Sequence, residues 1–166
     1  MGFYELSFLF WRRMSKTVPV RKRLHHSVPW RIDSPEFFLT ICCARPGINH
    51  LCRKSVASVV IGAAENYHLK RLWNLELIVL MPDHLHAILS TGDRHSLEAL
   101  VKSWKGWTAK TASIHWQDGF FDHRLRSHAS AQQKWSYVNE NPVRKGFVKK
   151  PEDWPWRFPL GRAHHP

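Results

Sequence analysis

Cysteine is scarce in this sequence, and long apolar runs are absent. The three cysteines, Cys42, Cys43 and Cys52, are odd in number, two are adjacent, and no C-x-x-C pair occurs. Neither a disulfide framework nor a structural zinc knot is therefore expected, and a reducing cytoplasm fits this usage. No run of ~18 apolar residues occurs, which excludes a membrane-spanning helix. Internal repeats and low-complexity segments are absent as well.

Acidic residues are also few: 13 Asp and Glu stand against 25 Lys and Arg among 166 residues, a formal charge of +12. Such a surplus favours polyanionic partners, most often nucleic acid, although a basic surface without a specific partner gives the same count. A 43% apolar fraction, with nine Trp and nine Phe, is enough for a buried core and excludes global disorder. The length is that of one domain.

The N-terminus lacks the residue order of a signal peptide. The apolar residues 3–11 are short and precede Arg12 and Arg13, whereas a signal peptide has its positive charge first. Met14 opens a polar segment, so we interpret residues 1–13 as the product of an upstream start or as a disordered tag.

The composition along the chain predicts three parts. Residues 1–29 form a flexible extension, 30–150 a catalytic domain and 151–166 a C-terminal tail. Within the extension, the basic residues 21–26 form either a solvated arm or a contact to backbone phosphate.

The first half of the domain contains a predicted strand, a helix and a hairpin. Residues 37–43 are aromatic and β-branched between proline-containing turns, which predicts a strand. A helix is predicted from Ser55, with an apolar stripe made of Val56, Val59, Val60, Ala63, Ala64 and Tyr67. Two further strands, residues 75–80 and 84–89, are joined by a Met-Pro-Asp turn.

Two more helices and a strand follow. Ser96 caps a predicted helix to about Ser113, whose core-facing residues are Leu97, Leu100, Val101, Trp104 and Thr108. A short strand lies within residues 116–125, and a last helix runs from Ser130 to about Glu140. The order β-α-β-β-α-β-α predicts an α+β fold, an antiparallel sheet with helices packed on it in a ferredoxin-like arrangement.

His84 and His86 are two residues apart in a predicted strand. Side chains at i and i+2 project from the same face, so two imidazoles can chelate one metal ion. The pattern is weak by itself, because it also arises by chance in a chain with 12 histidines.

Tyr137 and Asn141 are four residues apart and share a face of the last predicted helix. A tyrosine hydroxyl can act as a covalent nucleophile, and an amide oxygen can bind a hard metal ion. Pro142 places Asn141 at a helix end or break. Read alone, the segment favours a purely structural role, with Trp135, Tyr137 and Val138 as a core face and Asn141 with Pro142 as a helix stop.

Four segments together resemble the REP-associated tyrosine transposases, relatives of the single-tyrosine transposases of small bacterial insertion sequences. They are MPDHLH at 81–86, GFFDHRLR at 119–126, YVNENPVRKG at 137–146 and PEDWPW at 151–156. The resemblance covers about residues 30–158, and the order and spacing of its motifs are fairly specific.

The resemblance implies a nuclease with a His-hydrophobic-His motif on a ferredoxin-like sheet (the HUH nuclease fold) and no nucleotide cofactor. Its substrate class is single-stranded DNA, typically a hairpin of a repetitive extragenic palindrome beside a short tetranucleotide. By motif match, His84 and His86 would bind a divalent ion, with Asn141 completing the ligand set. Tyr137 would be the nucleophile. Asp83, where the family also uses Asn, is expected to serve the turn and could orient His84.

The implied activity is that of a metal-dependent endonuclease and strand transferase working through a covalent 5′-phosphotyrosine. Nitrogen and oxygen ligands without thiolate suit Mg²⁺ or Mn²⁺. The protein is expected to be cytoplasmic, nucleoid-associated and monomeric in preference to homodimeric. Trp104 and Trp107 either stack on bases or belong to the core. The candidates for phosphate contacts are Lys102, Lys105, Lys110, Arg124, Arg126, Arg144 and Lys145.

Two other functions stay open at this point. A non-catalytic protein could keep the fold and recognise hairpin DNA as a regulator. A His-rich protein could bind zinc through His84, His86 and His123. The zinc protein requires that His123 approach the other two histidines, with no tyrosine nearby.

Overall fold

The computed structural model describes residues 35–92 and 96–158. All of them belong to the compact unit Ile32–Pro166. The predictions for the extension at 1–29, with its basic arm, and for the end of the tail at 159–166 lie outside the described residues.

Five strands of the described chain form one antiparallel sheet in the order β4-β1-β3-β2-β5. The strands are β1 (Glu36–Cys42), β2 (Trp73–Leu80), β3 (His84–Thr91), β4 (Phe121–Leu125) and β5 (Arg157–Phe158). The predicted hairpin is present as β2 and β3. The sheet and its helices confirm the predicted α+β fold.

Helices cover both faces of this sheet. They are α1 (Lys54–Leu69), α2 (Leu97–Ala112), α3 (His128–Asn139) and the single turn α4 (Asn141–Arg144). The Ser96 hydroxyl accepts a hydrogen bond from the Ala99 N–H at 3.1 Å, which confirms the predicted cap of α2. All five predicted core-facing residues of α2 are buried. Within the described residues, no helix is long and apolar enough to cross a membrane.

The predicted starts of two helices are wrong. Arg53 is the N-cap of α1 and makes no side-chain hydrogen bond, so Ser55 lies inside the first turn. The preceding loop is tied to the hairpin turn by backbone hydrogen bonds, which brings the chain into the helix early. Ser127, not Ser130, caps α3, because the two hydroxyls each accept the other's backbone N–H in a reciprocal capping box.

The two faces of the sheet carry separate apolar clusters. The larger cluster packs one face against α1 and α2 and includes Leu39, Ile41, Leu85, Leu89, Val60, Leu100 and Trp104. The smaller cluster lies on the other face with α3 and includes Phe38, Leu77, Val79, Ile88, Val138 and Trp154. The side chains that alternate along β1 and β3 therefore belong to two different environments.

Residues 151–158, assigned from the sequence to a tail, complete one edge of the sheet. A 3₁₀ turn at Pro151–Asp153 leads to Trp154, which is buried, and its indole N–H donates to the Leu80 carbonyl at 2.9 Å. β5 then pairs with β2. Residues 151–158 thus belong to the folded domain.

Removing the cap of α2 should cost measurable stability. Ser96→Ala leaves the first-turn N–H groups without their side-chain acceptor, so the free energy of unfolding should fall by about 0.5–2 kcal/mol. Urea denaturation measures this change. Ser55→Ala is the matched control, because Ser55 is exposed and caps nothing. An equal loss from both substitutions would contradict the assigned caps.

Candidate active site

His84 and His86 stand side by side at the start of β3, on the sheet face that α3 covers. Their ring centroids are 5.0 Å apart and the planes are nearly perpendicular, at 75°. The Nδ1 atom of His84 lies 2.7 Å from Asp83 Oδ1, and that of His86 lies 2.9 Å from Thr40 Oγ1. With both Nδ1 atoms held, Nε2 is the atom of each ring left to bind a metal ion.

Asp83 is fixed from two sides. Its Oδ2 accepts the Gly47 N–H at 2.6 Å, and Gly47 has a positive φ of 77°, a conformation that suits glycine. Burial raises the pKa of Asp83, but the hydrogen bonds with His84 and Gly47 outweigh it and leave the pKa below its ordinary value. The carboxylate is therefore charged at neutral pH. Its contact with His84 is the one that the orienting role suggested by the sequence requires.

His86 is 8% exposed and stacks on Phe38, with ring centroids 5.4 Å apart. Burial lowers its pKa to about 3, helped by the positive potentials of His84 and Lys134 and opposed by a hydrogen bond with Leu39. The ring is neutral at physiological pH, which is the form that binds metal ions.

Tyr137 lies in the last turn of α3 and is 42% exposed. Its ring sits between two cations: the Arg144 guanidinium carbon is 4.7 Å from the ring centroid and the Lys134 ammonium 5.3 Å. The same ammonium lies 4.6 Å from the ring centroid of Phe38. Lys134 thereby links the tyrosine to the aromatic neighbour of His86. Val138, the next residue, takes the core position instead.

Asn141 is the first residue of α4 and is 6% exposed. The backbone N–H of Phe147 donates to a carbonyl of α4, and its ring stacks on Trp154 with centroids 5.4 Å apart. Because Trp154 is bound to Leu80, α4 is held at the end of the sheet where His84 begins. The fold thus places α4, which begins with Asn141, at the end of the sheet that carries the histidine pair.

Two imidazoles and one amide suit a divalent ion that keeps open positions for phosphate oxygens and water. Among residues 35–92 and 96–158, no group of three or more His, Cys, Asp or Glu side chains could hold a metal ion. His123 therefore joins no such group with His84 and His86, and the geometry required by the zinc alternative is not met.

The predicted phosphate contacts fall into different positions. Lys102 and Lys110 are exposed on α2, which covers the face opposite the histidines. Arg144 lies at the tyrosine ring, and three further candidates, Arg124, Arg126 and Lys145, are exposed.

Lys105 has a structural partner of its own. Its ammonium donates to the carbonyls of Gln117 and Gly119, both at 2.6 Å, and burial lowers its pKa. The loop before β4 thus holds this lysine, and contact with phosphate would cost these hydrogen bonds. Trp104 is 2% exposed and belongs to the core, whereas Trp107 is exposed.

Several residues around the site were not singled out from the sequence. Lys134 had a usable signal, since it is one helical turn before Tyr137. The others depend on strand pairing that sequence patterns do not specify. Arg157 is buried on β5, and its guanidinium donates to the side chain of Asn139, the last residue of α3. The other residues that strand pairing brings to the site are Thr40, Phe38 and Phe121.

The chain is similar to known proteins in sequence and in fold. No protein-family model matches the sequence. The chain is 29% identical over 89 residues to the REP-associated tyrosine transposase of Escherichia coli (strain K12), covering 52% of this chain and 54% of that protein. It thus spans about half the length of this curated relative. It is also 22% identical over 147 residues to an uncharacterized protein of Haemophilus influenzae, covering 64% of this chain and 79% of that one.

A solved structure shares the fold. It is that of a REP-associated tyrosine transposase bound to a REP hairpin, with a TM-score of 0.67 and 19% identity. The likeness covers 86% of this chain and 93% of the solved chain. The similarity in sequence and the shared fold together identify this chain as a distant relative of the REP-associated tyrosine transposases.

Proposed function

We propose that this chain is a metal-dependent endonuclease and strand transferase that cleaves single-stranded DNA beside hairpins of repetitive extragenic palindromes. The observation that carries the proposal is a pair of oriented imidazoles on the same sheet face as an exposed tyrosine set between two cations. The transposase relative, and the REP hairpin bound by the structural relative, support this substrate class.

In this proposal His84 and His86 hold a divalent ion through Nε2, and Asn141 supplies an amide oxygen. Mg²⁺ or Mn²⁺ fits these ligands. When bound, the ion supplies positive charge for the phosphate oxygens as negative charge builds on them. Asp83 and Thr40 keep the two rings in one orientation, so that little reorganisation is needed.

Tyr137 acts as the nucleophile. Its oxygen forms a bond to phosphorus while the bond between phosphorus and the 3′-oxygen breaks. The phenolic proton is released, and the departing 3′-oxygen takes up a proton to become a hydroxyl. The 5′-phosphotyrosine keeps the phosphoester energy, so a 3′-hydroxyl of another strand can displace the tyrosine without ATP.

The basic side chains have different roles in this proposal. Lys134 and Arg144 hold the tyrosine ring by cation–π contact and present charge to the phosphates beside the cleaved one. Further positive charge for the DNA backbone comes from the exposed residues Arg124, Arg126 and Lys145. On the opposite face of the sheet, DNA that passes around its edge is contacted by Lys102 and Lys110. Lys105 contributes mainly by holding the loop before β4.

A covalent protein–DNA adduct should form only when a divalent ion is present. The test uses a pool of hairpin oligonucleotides with four randomised nucleotides at the foot. The label is at the 3′ end, because the proposed link retains the 3′ segment. With Mn²⁺ or Mg²⁺, a denaturing gel should show labelled protein, and excess EDTA should remove it.

Two other results would change the assignment. Tight hairpin binding without an adduct in any metal would favour the non-catalytic hairpin-binding regulator. If there is neither binding nor adduct, both DNA functions are wrong.

A further inference from the structure

An exposed aromatic ring continues the row of rings that begins at the two histidines. Phe121, the first residue of β4, is 40% exposed although it is large and apolar. Its backbone pairs with Thr40, which pairs in turn with His86, so the three side chains share one face of the sheet.

The rings in this row are in contact. His86 stacks on Phe38 at 5.4 Å, and Phe38 meets Phe121 edge-on, with centroids 6.3 Å apart and an interplanar angle of 68°. The row thus runs from the proposed metal ligands outwards to the edge strand of the sheet, where it ends at solvent.

Phe121 follows a loop that is held by hydrogen bonds, and it lies next to a ring that contacts a cation. The loop that leads into β4 is held by the Lys105 ammonium through the Gln117 and Gly119 carbonyls. The Lys134 ammonium lies over the neighbouring Phe38 ring, at 4.6 Å from its centroid. A flat apolar ring beside cations suits a nucleobase attached to phosphate. A single ring is far too small for a stable protein interface.

We infer that Phe121 is the stacking site for an unpaired nucleobase of the substrate strand, close to the cleaved phosphate. This inference rests on the proposed single-stranded DNA substrate. Any base has a flat face that can stack, so the site would bind a base without reading its identity. Its effect is to fix the path of the strand across β4, with the phosphate next to the histidine pair.

Fluorescence of a base analogue tests the inference directly. The DNA is the hairpin with 2-aminopurine placed at successive positions of its single-stranded flank, and the protein carries Tyr137→Phe so that binding is measured without cleavage. One flank position should change in fluorescence on binding. Phe121→Leu should remove that change and weaken binding roughly 5- to 100-fold. Phe121→Trp should preserve both.

Leu69→Ala is the control, because Leu69 is also a large, exposed apolar side chain but ends α1, which packs on the other face of the sheet. It should leave the fluorescence change intact. If Phe121→Leu behaves like this control while the unsubstituted protein binds DNA and forms the adduct, the stacking site is wrong and the proposed function stands. If no form of the protein binds DNA, both are wrong.

Thermal melting checks that Phe121→Leu remains folded, and Phe121→Ser provides an independent removal of the ring.

Discussion

Protein carrying Tyr137→Phe should bind hairpin DNA as tightly as the unsubstituted protein and form no covalent adduct. The substitution removes one hydroxyl and keeps the ring between Lys134 and Arg144. Because the side chain is 42% exposed, its loss of a polar atom should leave the fold unchanged. The measurement is a denaturing gel with 3′-labelled DNA and Mn²⁺, alongside a binding titration at several salt concentrations.

The chain offers a matched control for this result. Of its three tyrosines, Tyr67 lies on α1, where its hydroxyl donates to Ser103 at 3.1 Å. Tyr67→Phe makes the same chemical change away from the histidine pair and should form the adduct normally. An adduct that persists in Tyr137→Phe would assign the nucleophile to another side chain. Cleavage without any adduct would assign it to water.

Substitution of His86 should reduce adduct formation to the level left by EDTA at every metal concentration. His86→Gln keeps a polar side chain near Thr40 but removes the second imidazole, so the paired nitrogen ligands are lost. Thr40→Val should have a smaller effect, because the ring remains and only its orientation is released. Hydrogen bonds to the side chains that ligate a metal ion typically account for about 10- to 100-fold in metal affinity or activity.

A manganese titration separates these two cases. Adduct formation by Thr40→Val should recover at higher Mn²⁺ concentration, whereas that of His86→Gln should not. His123→Gln is the control, since His123 is an exposed histidine on the neighbouring edge strand. Equal loss in His123→Gln and His86→Gln would point back to a shared three-histidine site. Normal activity in His86→Gln would remove this residue from the metal site.

Local sequence patterns predicted those features of the helices and the hairpin that depend only on residues within the same element. The cap at Ser96 and the five buried residues of α2 are such a case, because capping and helical period are local properties. The strand β5 has only two residues, and its place depends on the distant bond between Trp154 and Leu80. No local pattern contains that information.

The residues of the candidate site also differ in whether local sequence predicts them. The spacing of His84 and His86 indicates from sequence alone that they share a face of the strand. The contact of Asp83 with His84 could also be predicted, because the two residues are adjacent. Thr40 reaches His86 only through the register between β1 and β3, which are separated by α1 and β2. The motif resemblance supplied Tyr137, and helical spacing on α3 places Lys134 beside it. Arg144 reaches the ring only because of the way α3 and α4 fold together.

The helix that carries the tyrosine is attached to the sheet by little apolar surface. Val138 is the one buried residue of α3, whereas α1 and α2 bury five each. Burial of one valine stabilises by roughly 1.5–3 kcal/mol, far less than the main cluster beneath α1 and α2. Opening α3 would expose Val138, separate the partly buried Ala131 and Trp135 from the smaller cluster, and break the contacts of Lys134 with Phe38 and of Arg157 with Asn139. We expect α3, which carries the tyrosine, to open from the sheet more readily than α1 or α2, while the rest of the domain stays folded.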